Sequence, residues 1–532
     1  MRKFSSYGPV DKSLHYYAPR QELIELAYQQ LLGENPDKGG HYITVWGSRQ
    51  TGKTWVMQQI LAGLQTEPRY SRFQVLKINL EHLKMAQDVN RIAQVIAAEI
   101  IERLELEPVV VNELSQFYNV FKRTVLKKPL ILILDEFDAL MEEAISGIVA
   151  VFRNIHNSRS DQFFKPTQEK DYLLHSVALI GVRAALGIEN MRGSPFNVQR
   201  GLHIPNLTAD EVTGMFRWYE QESGQQFEAG VMERVYYEFR GQPGLTCWFG
   251  ELLTETYNKH NPTITMRDFD IAYAAATDAL PNNNILNIIS KAKQPPYKDF
   301  VLDMFKTQEK QKFGYDDPIM NFLYMNGVID QEVIHETERY LKFPCPFVQK
   351  RLFNYFAREL FRDIGRLYDP FESLADVFTS AGLDIKALLR RYQVYLQQNR
   401  SWLLKDAPRR HDLRIYEAVY HFNLYMYLKQ FLNSYDGQVH PEFPTGNGQI
   451  DLIMRYEGKL YGLEVKSFSN ERDYQKALLQ AAGYGQQLGL AEITLAFFVE
   501  RVDEANRAKY EVVYHDATTG VTVLPVFVDT EM

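Results

Sequence analysis

Two groups of residues in this chain have the types and spacing that chemistry needs. The first is Gly47-Ser48-Arg49-Gln50-Thr51-Gly52-Lys53-Thr54, between the apolar, β-rich run 42–46 and the helically spaced apolar residues of 55–61. Strand, glycine-rich loop and helix in that order are the setting in which this spacing binds phosphate. The glycines let backbone N–H groups curl around phosphate oxygens, and the helix N-terminus adds a positive dipole end. Gly47, Ser48, Arg49, Gln50, Thr51 and Gly52 would line an ATP cradle, with Lys53 reaching the β- and γ-phosphates and the Thr54 hydroxyl ligating Mg²⁺. A second apolar run, 129–134, ends in Asp135-Glu136-Phe137-Asp138 and reads as a central parallel strand. At its C-terminal end Asp135 is expected to hold Mg²⁺ through water and Glu136 to polarise the attacking water. The bland alternative for the Asp135-Glu136 pair is a helix N-terminal cap.

The second group lies near the C-terminus. Gly448-Gln449-Ile450-Asp451 opens a strand, the turn Glu457-Gly458-Lys459 follows, and Leu463-Glu464-Val465-Lys466 forms the returning strand of a hairpin. With a two-residue period, Glu464 and Lys466 share one face while Leu463 and Val465 face the core. Two carboxylates beside a lysine make a divalent-cation site. Asp451 and Glu464 would bind Mg²⁺, with Mn²⁺ as a substitute, and Lys466 would orient or activate water. A surface hairpin with a salt-bridged Glu–Lys pair is the competing reading. Downstream, Gln480 and Tyr484 stand at i and i+4 on one helix face.

A chain of 532 residues needs several domains to position these groups, and its 45% hydrophobic and 24% charged content is that of an ordinary globular protein. No apolar run approaches the ~18 residues of a membrane span, and the N-terminus has no apolar leader, so a cytoplasmic protein without a membrane partner is expected. Cys247 and Cys345 are too far apart for a zinc knuckle and give no disulfide framework. The net charge of −8 does not advertise a nucleic-acid binder. Yet Lys386, Arg390, Arg391, Arg400, Lys405, Arg409, Arg410 and Arg414 face only Asp406 and Asp412 in the same stretch. This is either a solvated helix surface or a path for a nucleic-acid backbone.

The motif at 47–54 with Asp135-Glu136 resembles the AAA-type ATPases near the Orc/Cdc6 and STAND groups. The segment 16–23, the strand 176–182 in the sensor-1 position and the passage 194–212 into a helical lid carry the likeness across roughly residues 10–280. Arg183 stands where that family more often has a short polar residue. Arg240-Gly241-Gln242-Pro243-Gly244 resembles the G-x-P turn of STAND-type ATPases. The likeness suggests Arg240 as a γ-phosphate sensor, and a simple helix-breaking turn explains the same residues. The segment 326–344 is similar to the wing of a winged helix, with Lys306, Lys310 and Lys312 as the best DNA-contacting candidates. The C-terminal cluster resembles the PD-(D/E)xK nuclease superfamily over about residues 405–530. That likeness puts Glu417 in the place of a first-motif carboxylate and Gln480 with Tyr484 in a Q-x-x-x-Y helix that holds the site or contacts the DNA backbone.

The expected fold class is therefore α/β multidomain. Residues 1–205 would be an AAA-type parallel-sheet core, 206–285 a helical lid and 286–365 a winged-helix-like domain. A basic helical connector, 366–404, would lead to a restriction-endonuclease-like α/β domain at 405–532. The expected function is an ATP-regulated, Mg²⁺-dependent DNA endonuclease, in defence against foreign DNA or processing of mobile elements. Its expected partners are nucleic acid, DNA foremost, and further copies of the chain. The alternative is a STAND-like signalling or assembly ATPase whose nuclease fold only binds nucleic acid. A DNA translocase would need a ring and an arginine finger that one sequence does not identify.

Overall fold

The computed structural model describes residues 1–5, 7–8, 10–181, 199–305, 311–334, 337–409, 415–442, 450–468 and 470–531, and the backbone alone of 199, 200, 417, 450 and 451. The expected passage at 194–198, together with Arg183, Lys306, Lys310, Arg410, Arg414, Gly448 and Gln449, lies outside the described residues. The chain forms two compact units. The first is Met1–Ala274 with Tyr315–Gly327, and the second is Ala275–Gly314 with Val328–Met532.

The first unit is built on strands β1 (Tyr42–Trp46), β2 (Gln74–Asn79), β3 (Leu130–Asp135), β4 (Leu174–Gly181) and β5 (Gln199–His203). They form one sheet in the order β2-β3-β4-β1-β5, with every pairing parallel. Parallel strands need crossovers, and helices α1 (Gln21–Leu32), α2 (Lys53–Thr66), α3 (Val89–Arg103) and α4 (Glu142–Asp161) cover the faces. The pleat explains why β3 is apolar throughout. Leu130, Leu132 and Leu134 join the core under α3 and α4, while Ile131 and Ile133 join the core under α1 and α2. Helices α5 (Ala209–Ser223), α6 (Val231–Phe239), α7 (Pro243–Glu251) and α8 (Met266–Asp278) follow, with the short strands β6 (Gln226–Phe227) and β7 (Thr263–Ile264) pairing among them. A complete capping box at Thr208 and Glu211 starts α5.

The second unit begins with α9 (Asn283–Ala292), capped by Asn282, and α10 (Tyr297–Met304). The helix α11 (Pro318–Met325) belongs to the first unit. The hairpin β8 (Asp330–Ile334) and β9 (Glu338–Lys342) stands where the sequence suggested a wing. Helix α12 (Pro346–Leu360) is buried on nearly every side of its first three turns. After the small ribbon β10 (Phe378–Thr379) and β11 (Gly382–Leu383) come α13 (Ile385–Leu403) and α14 (Glu417–Asn433). Six strands complete the unit: β12 (Gln438–Glu442), β13 (Ile450–Tyr456), β14 (Lys459–Ser467), β15 (Glu492–Val499), β16 (Tyr514–His515) and β17 (Thr522–Asp529). Their order is β12-β13-β14-β15-β17-β16. The first three form an antiparallel meander, and β15 then joins β14 in parallel after the crossover helix α15 (Glu471–Gln487). Helix α16 (Glu504–Tyr510) connects β15 to the last two strands.

Candidate functional site

In the first unit, β1 delivers Gly47 and α2 begins at Lys53, so the loop between them is a phosphate cradle by construction. Gln50 and Gly52 take positive φ (58° and 91°), which folds the loop back on itself. Gly47 has no room for a side chain: a Cβ there would meet the Ile204 carbonyl oxygen at 2.9 Å and Thr51 Oγ1 at 3.0 Å. No side chain caps α2, so the N–H groups of its first turn are left for a ligand. Lys53 Nζ donates to the carbonyl oxygens of Gly47 (2.8 Å) and Ser48 (2.9 Å), and Thr51 Oγ1 also donates to Ser48 O. Burial pushes the Lys53 ammonium down to about 8, an effect opposed by Asp138, Glu136 and Asp135 in that order. Thr54 follows directly in the first turn of α2.

Strand β3 brings Asp135 and Glu136 to the same end of the sheet. Asp135 is buried, with Oδ1 accepting the Glu136 N–H (3.1 Å) and Oδ2 2.6 Å from Lys77 Nζ. Glu136 sits in the left-handed region (φ 55°), a conformation that costs a non-glycine residue about 1–3 kcal/mol and recurs at functional sites. It precedes a one-turn helix, Phe137–Ala139, without capping it, so the capping alternative finds no support. Burial raises its carboxyl, with Asp138 and Asp135 adding to the effect. These donors suit a magnesium–nucleotide: uncapped amides and an ammonium for phosphate, a hydroxyl and a buried carboxylate for the cation.

Sequence reasoning missed three contributors here. Lys77 is a lone cation in an otherwise largely apolar strand, and only its neighbour across β3 gives it meaning. Asp138 gives the Lys53 ammonium more electrostatic support than Glu136 or Asp135 does. The third is Gln242, in the turn at 240–244 that the sequence singles out for Arg240. Arg240 holds its guanidinium over the Tyr237 ring (5.0 Å), while Gln242 Nε2 donates to Arg49 O (2.8 Å) and Gly244 N donates to Gln50 O (3.2 Å). Gln242, rather than the suggested sensor Arg240, is the side chain of this turn that bonds to the loop. Gly241, at φ 65°, lies so close to Leu207 O that a Cβ would meet it at 1.9 Å.

In the second unit, β13 and β14 pair as expected, and the turn Glu457-Gly458 takes positive φ at both residues (48° and 76°). Asp451 stands opposite Glu464 in the register, and Glu442 stands opposite Asp451 on the other side. The Glu464 and Lys466 side chains are buried (4% and 3% exposed), with Nζ 2.8 Å from Oε1. This corrects the picture of one core face and one open face: Leu463, Glu464, Val465 and Lys466 are all buried. It also removes the surface-hairpin reading, since this pair is shut away from water. Lys466 Nζ donates as well to Gln480 Oε1 on α15. Among the described residues Glu464 Oε2 is buried with no hydrogen-bond partner, and burial raises this carboxyl while Lys466 opposes the rise. An orphaned buried carboxylate oxygen is what a divalent cation would satisfy. The side chains of Asp451 and Glu417 lie outside the described set; among the described residues no three His, Cys, Asp or Glu side chains gather as metal ligands. A contributor missed in the sequence is Lys350 of α12, which is buried and bonds Glu442 at 2.9 Å. Next to it, Arg351 donates to the Ala276 and Thr277 carbonyls in the last turn of α8 and to the Leu280 carbonyl just beyond it.

The basic stretch 386–414 is less bare than its sequence suggests. Lys386 and Arg390 pair with Glu511, Arg391 with Glu372 and Asp376, and Arg400 with Glu531. These carboxylates come from outside the stretch, so a local charge count does not see them. Lys312 lies 4.0 Å from Glu338, and α11 carries no lysine or arginine. Among the described residues no helix is long and apolar enough to cross a membrane.

The profile of a family described as an AAA-like domain matches residues 5–247. No curated protein matches. Among solved structures, the Walker-type ATPase of Pyrococcus abyssi is similar at 12% identity and a TM-score of 0.43, covering 66% of this chain and 99% of its own. The ORC1 protein of Aeropyrum pernix, solved in complex with DNA, gives 15%, 0.31, 63% and 92%. The RuvB Holliday-junction branch-migration motor of Thermotoga maritima gives 11%, 0.33, 61% and 92%. With its all-parallel sheet and phosphate cradle, the region 5–247 is an AAA-like P-loop ATPase domain.

Proposed function

We propose that the chain is an ATP-regulated, Mg²⁺-dependent DNA endonuclease, its second unit a PD-(D/E)xK-like cutting domain. The observation that carries this is the buried Glu464–Lys466 pair with Glu464 Oε2 orphaned, in register with Asp451 and bonded to Gln480. The order α14-β12-β13-β14-α15-β15, a meander followed by a crossover, supports the same reading. A bound Mg²⁺ would supply Lewis acidity at the scissile phosphate. Glu464 and Asp451 would hold it, Lys466 would orient the attacking water, and Gln480 would fix the ammonium. At the other site, Lys53 and the loop amides would bind the phosphates, Thr54 and Asp135 the cation, and Glu136 would take the proton of water.

The alternative is a STAND-like signalling or assembly ATPase whose nuclease fold only binds nucleic acid. The ion pairs of Lys386, Arg390, Arg391 and Arg400 weigh against this stretch as the nucleic-acid path under either reading. Incubation with plasmid DNA, Mg²⁺ and ATP separates the two. Cutting that is lost in Asp451→Ala and in Lys466→Ala, with ATP turnover kept, is the expected result. Wild-type protein that cuts under no nucleotide or metal condition overturns the endonuclease.

A further inference from the structure

Lys77 has no part in the chemistry described so far, yet it occupies a decisive place. Its ammonium lies 2.6 Å from Asp135 Oδ2, and the two side chains are 17% and 3% exposed. Asp135 Oδ1 accepts the Glu136 N–H. Both oxygens of the carboxylate expected to hold Mg²⁺ are therefore engaged by the protein itself. The pair is set by the fold: β2 and β3 run parallel, with Lys77 opposite Ile133 and Asn79 opposite Asp135.

We infer that Lys77 is a positioning residue and an internal competitor for the metal at Asp135. A divalent cation approaching this carboxylate meets an ammonium already in contact with it. In a buried setting the repulsion between the two cations is screened far less than in water. The negative charge of a triphosphate offsets that repulsion, so metal enters with nucleotide rather than ahead of it. Lys77 thereby sets how much Mg²⁺ adds to nucleotide affinity.

The test measures binding of a slowly hydrolysed ATP analogue carrying a fluorescent ribose label, in Mg²⁺ and again in EDTA. The quantity read is the factor by which Mg²⁺ tightens binding. In Lys77→Met that factor should rise about tenfold or more, because the competing cation is gone. In Lys77→Arg it should fall, because a guanidinium can grip the carboxylate through two parallel bonds. Asp135→Asn should bring the factor close to one in all three backgrounds. A factor unchanged or lowered in Lys77→Met overturns the inference. If Lys77→Met does not fold, a factor unchanged or raised in Lys77→Arg overturns it. Failure of the wild type to bind the analogue at all would instead refute the ATP site.

Discussion

The two candidate sites are built from the same pair of groups, a buried carboxylate and a lysine, and they differ in what the carboxylate lacks. Asp135 has both oxygens occupied, one by Lys77 and one by the Glu136 N–H. Glu464 has Lys466 on one oxygen and, among the described residues, no hydrogen-bond partner on the other. A buried acceptor without a partner carries its full desolvation cost. The first carboxylate is therefore satisfied by the protein's own groups, while among the described residues the second keeps one oxygen unsatisfied. Under the proposed function the contrast predicts different inputs: nucleotide for the first, free divalent metal for the second.

The largest effect that tests the contrast is stability. Lys466→Met leaves Glu464 buried without its cation and should cost the second unit about 3–5 kcal/mol in chemical denaturation. Excess Mn²⁺ should recover part of that loss by binding the carboxylate. Lys77→Met should cost the first unit less than half as much, because Asp135 keeps the Glu136 N–H. Equal losses would erase the distinction between a satisfied and an unsatisfied carboxylate.

Lys53→Ala comes next. Removing the ammonium that the loop holds against Gly47 O and Ser48 O should lower ATP turnover about 10²–10³-fold. Stabilisation of the second unit by Mn²⁺ should be unchanged, since its cation needs no nucleotide. If DNA cutting survives this substitution undiminished, ATP does not gate the nuclease.

How much of this was legible in the sequence depended on whether the relevant neighbours were close along the chain. The loop 47–54 was readable because strand, loop and helix are contiguous, and β3 because a strand buried on both faces is apolar throughout. The β13–β14 hairpin was readable from its turn. Lys77, Lys350 and Gln242 were not, because each takes its meaning from a partner on another element: Asp135, Glu442 and Arg49 O. The same blindness overstated the basic stretch 386–400, whose neutralising carboxylates lie up to 131 residues away. It also opened a face of β14 that α15 in fact covers at Lys466.

Acid supplies a control in which the two units should behave alike. His175, in the first unit, is held down to about 3 by burial first and then by Arg159. Its Nε2 donates to Leu32 O, and its Nδ1 faces the Thr167 hydroxyl. His421, in the second unit, is held down to about 4 by burial. In both cases the unfolded chain takes up the proton near pH 6.5 and the folded one does not, so stability is present above 6.5 and lost below it. His175 alone should take about 2 kcal/mol from the first unit between pH 7 and pH 5, and His421 as much from the second. His175→Gln should reduce the slope for the first unit alone, leaving the part that His156 and His203 contribute. Acid should thus fail to separate units that metal separates.

The smallest effect bears on whether α7 adjusts the phosphate loop to which its first turn is bonded. Gly244 stands at the start of α7, where alanine would ordinarily help a helix by up to about 1 kcal/mol. Here an added Cβ would meet Gln50 Cβ at 2.6 Å and Gln50 Oε1 at 2.3 Å. Gly244→Ala should therefore push on the loop while favouring its own helix. We expect affinity for the ATP analogue to fall about tenfold, in line with the roughly 1–3 kcal/mol of an overpacked contact. Gly214 on α5, where a Cβ meets nothing within 4 Å, is the matched control. Gly214→Ala should raise stability and leave affinity alone. An affinity unchanged in Gly244→Ala would mean that Gln50 yields freely, and that the bonds from Gln242 and Gly244 do not seat the phosphate loop.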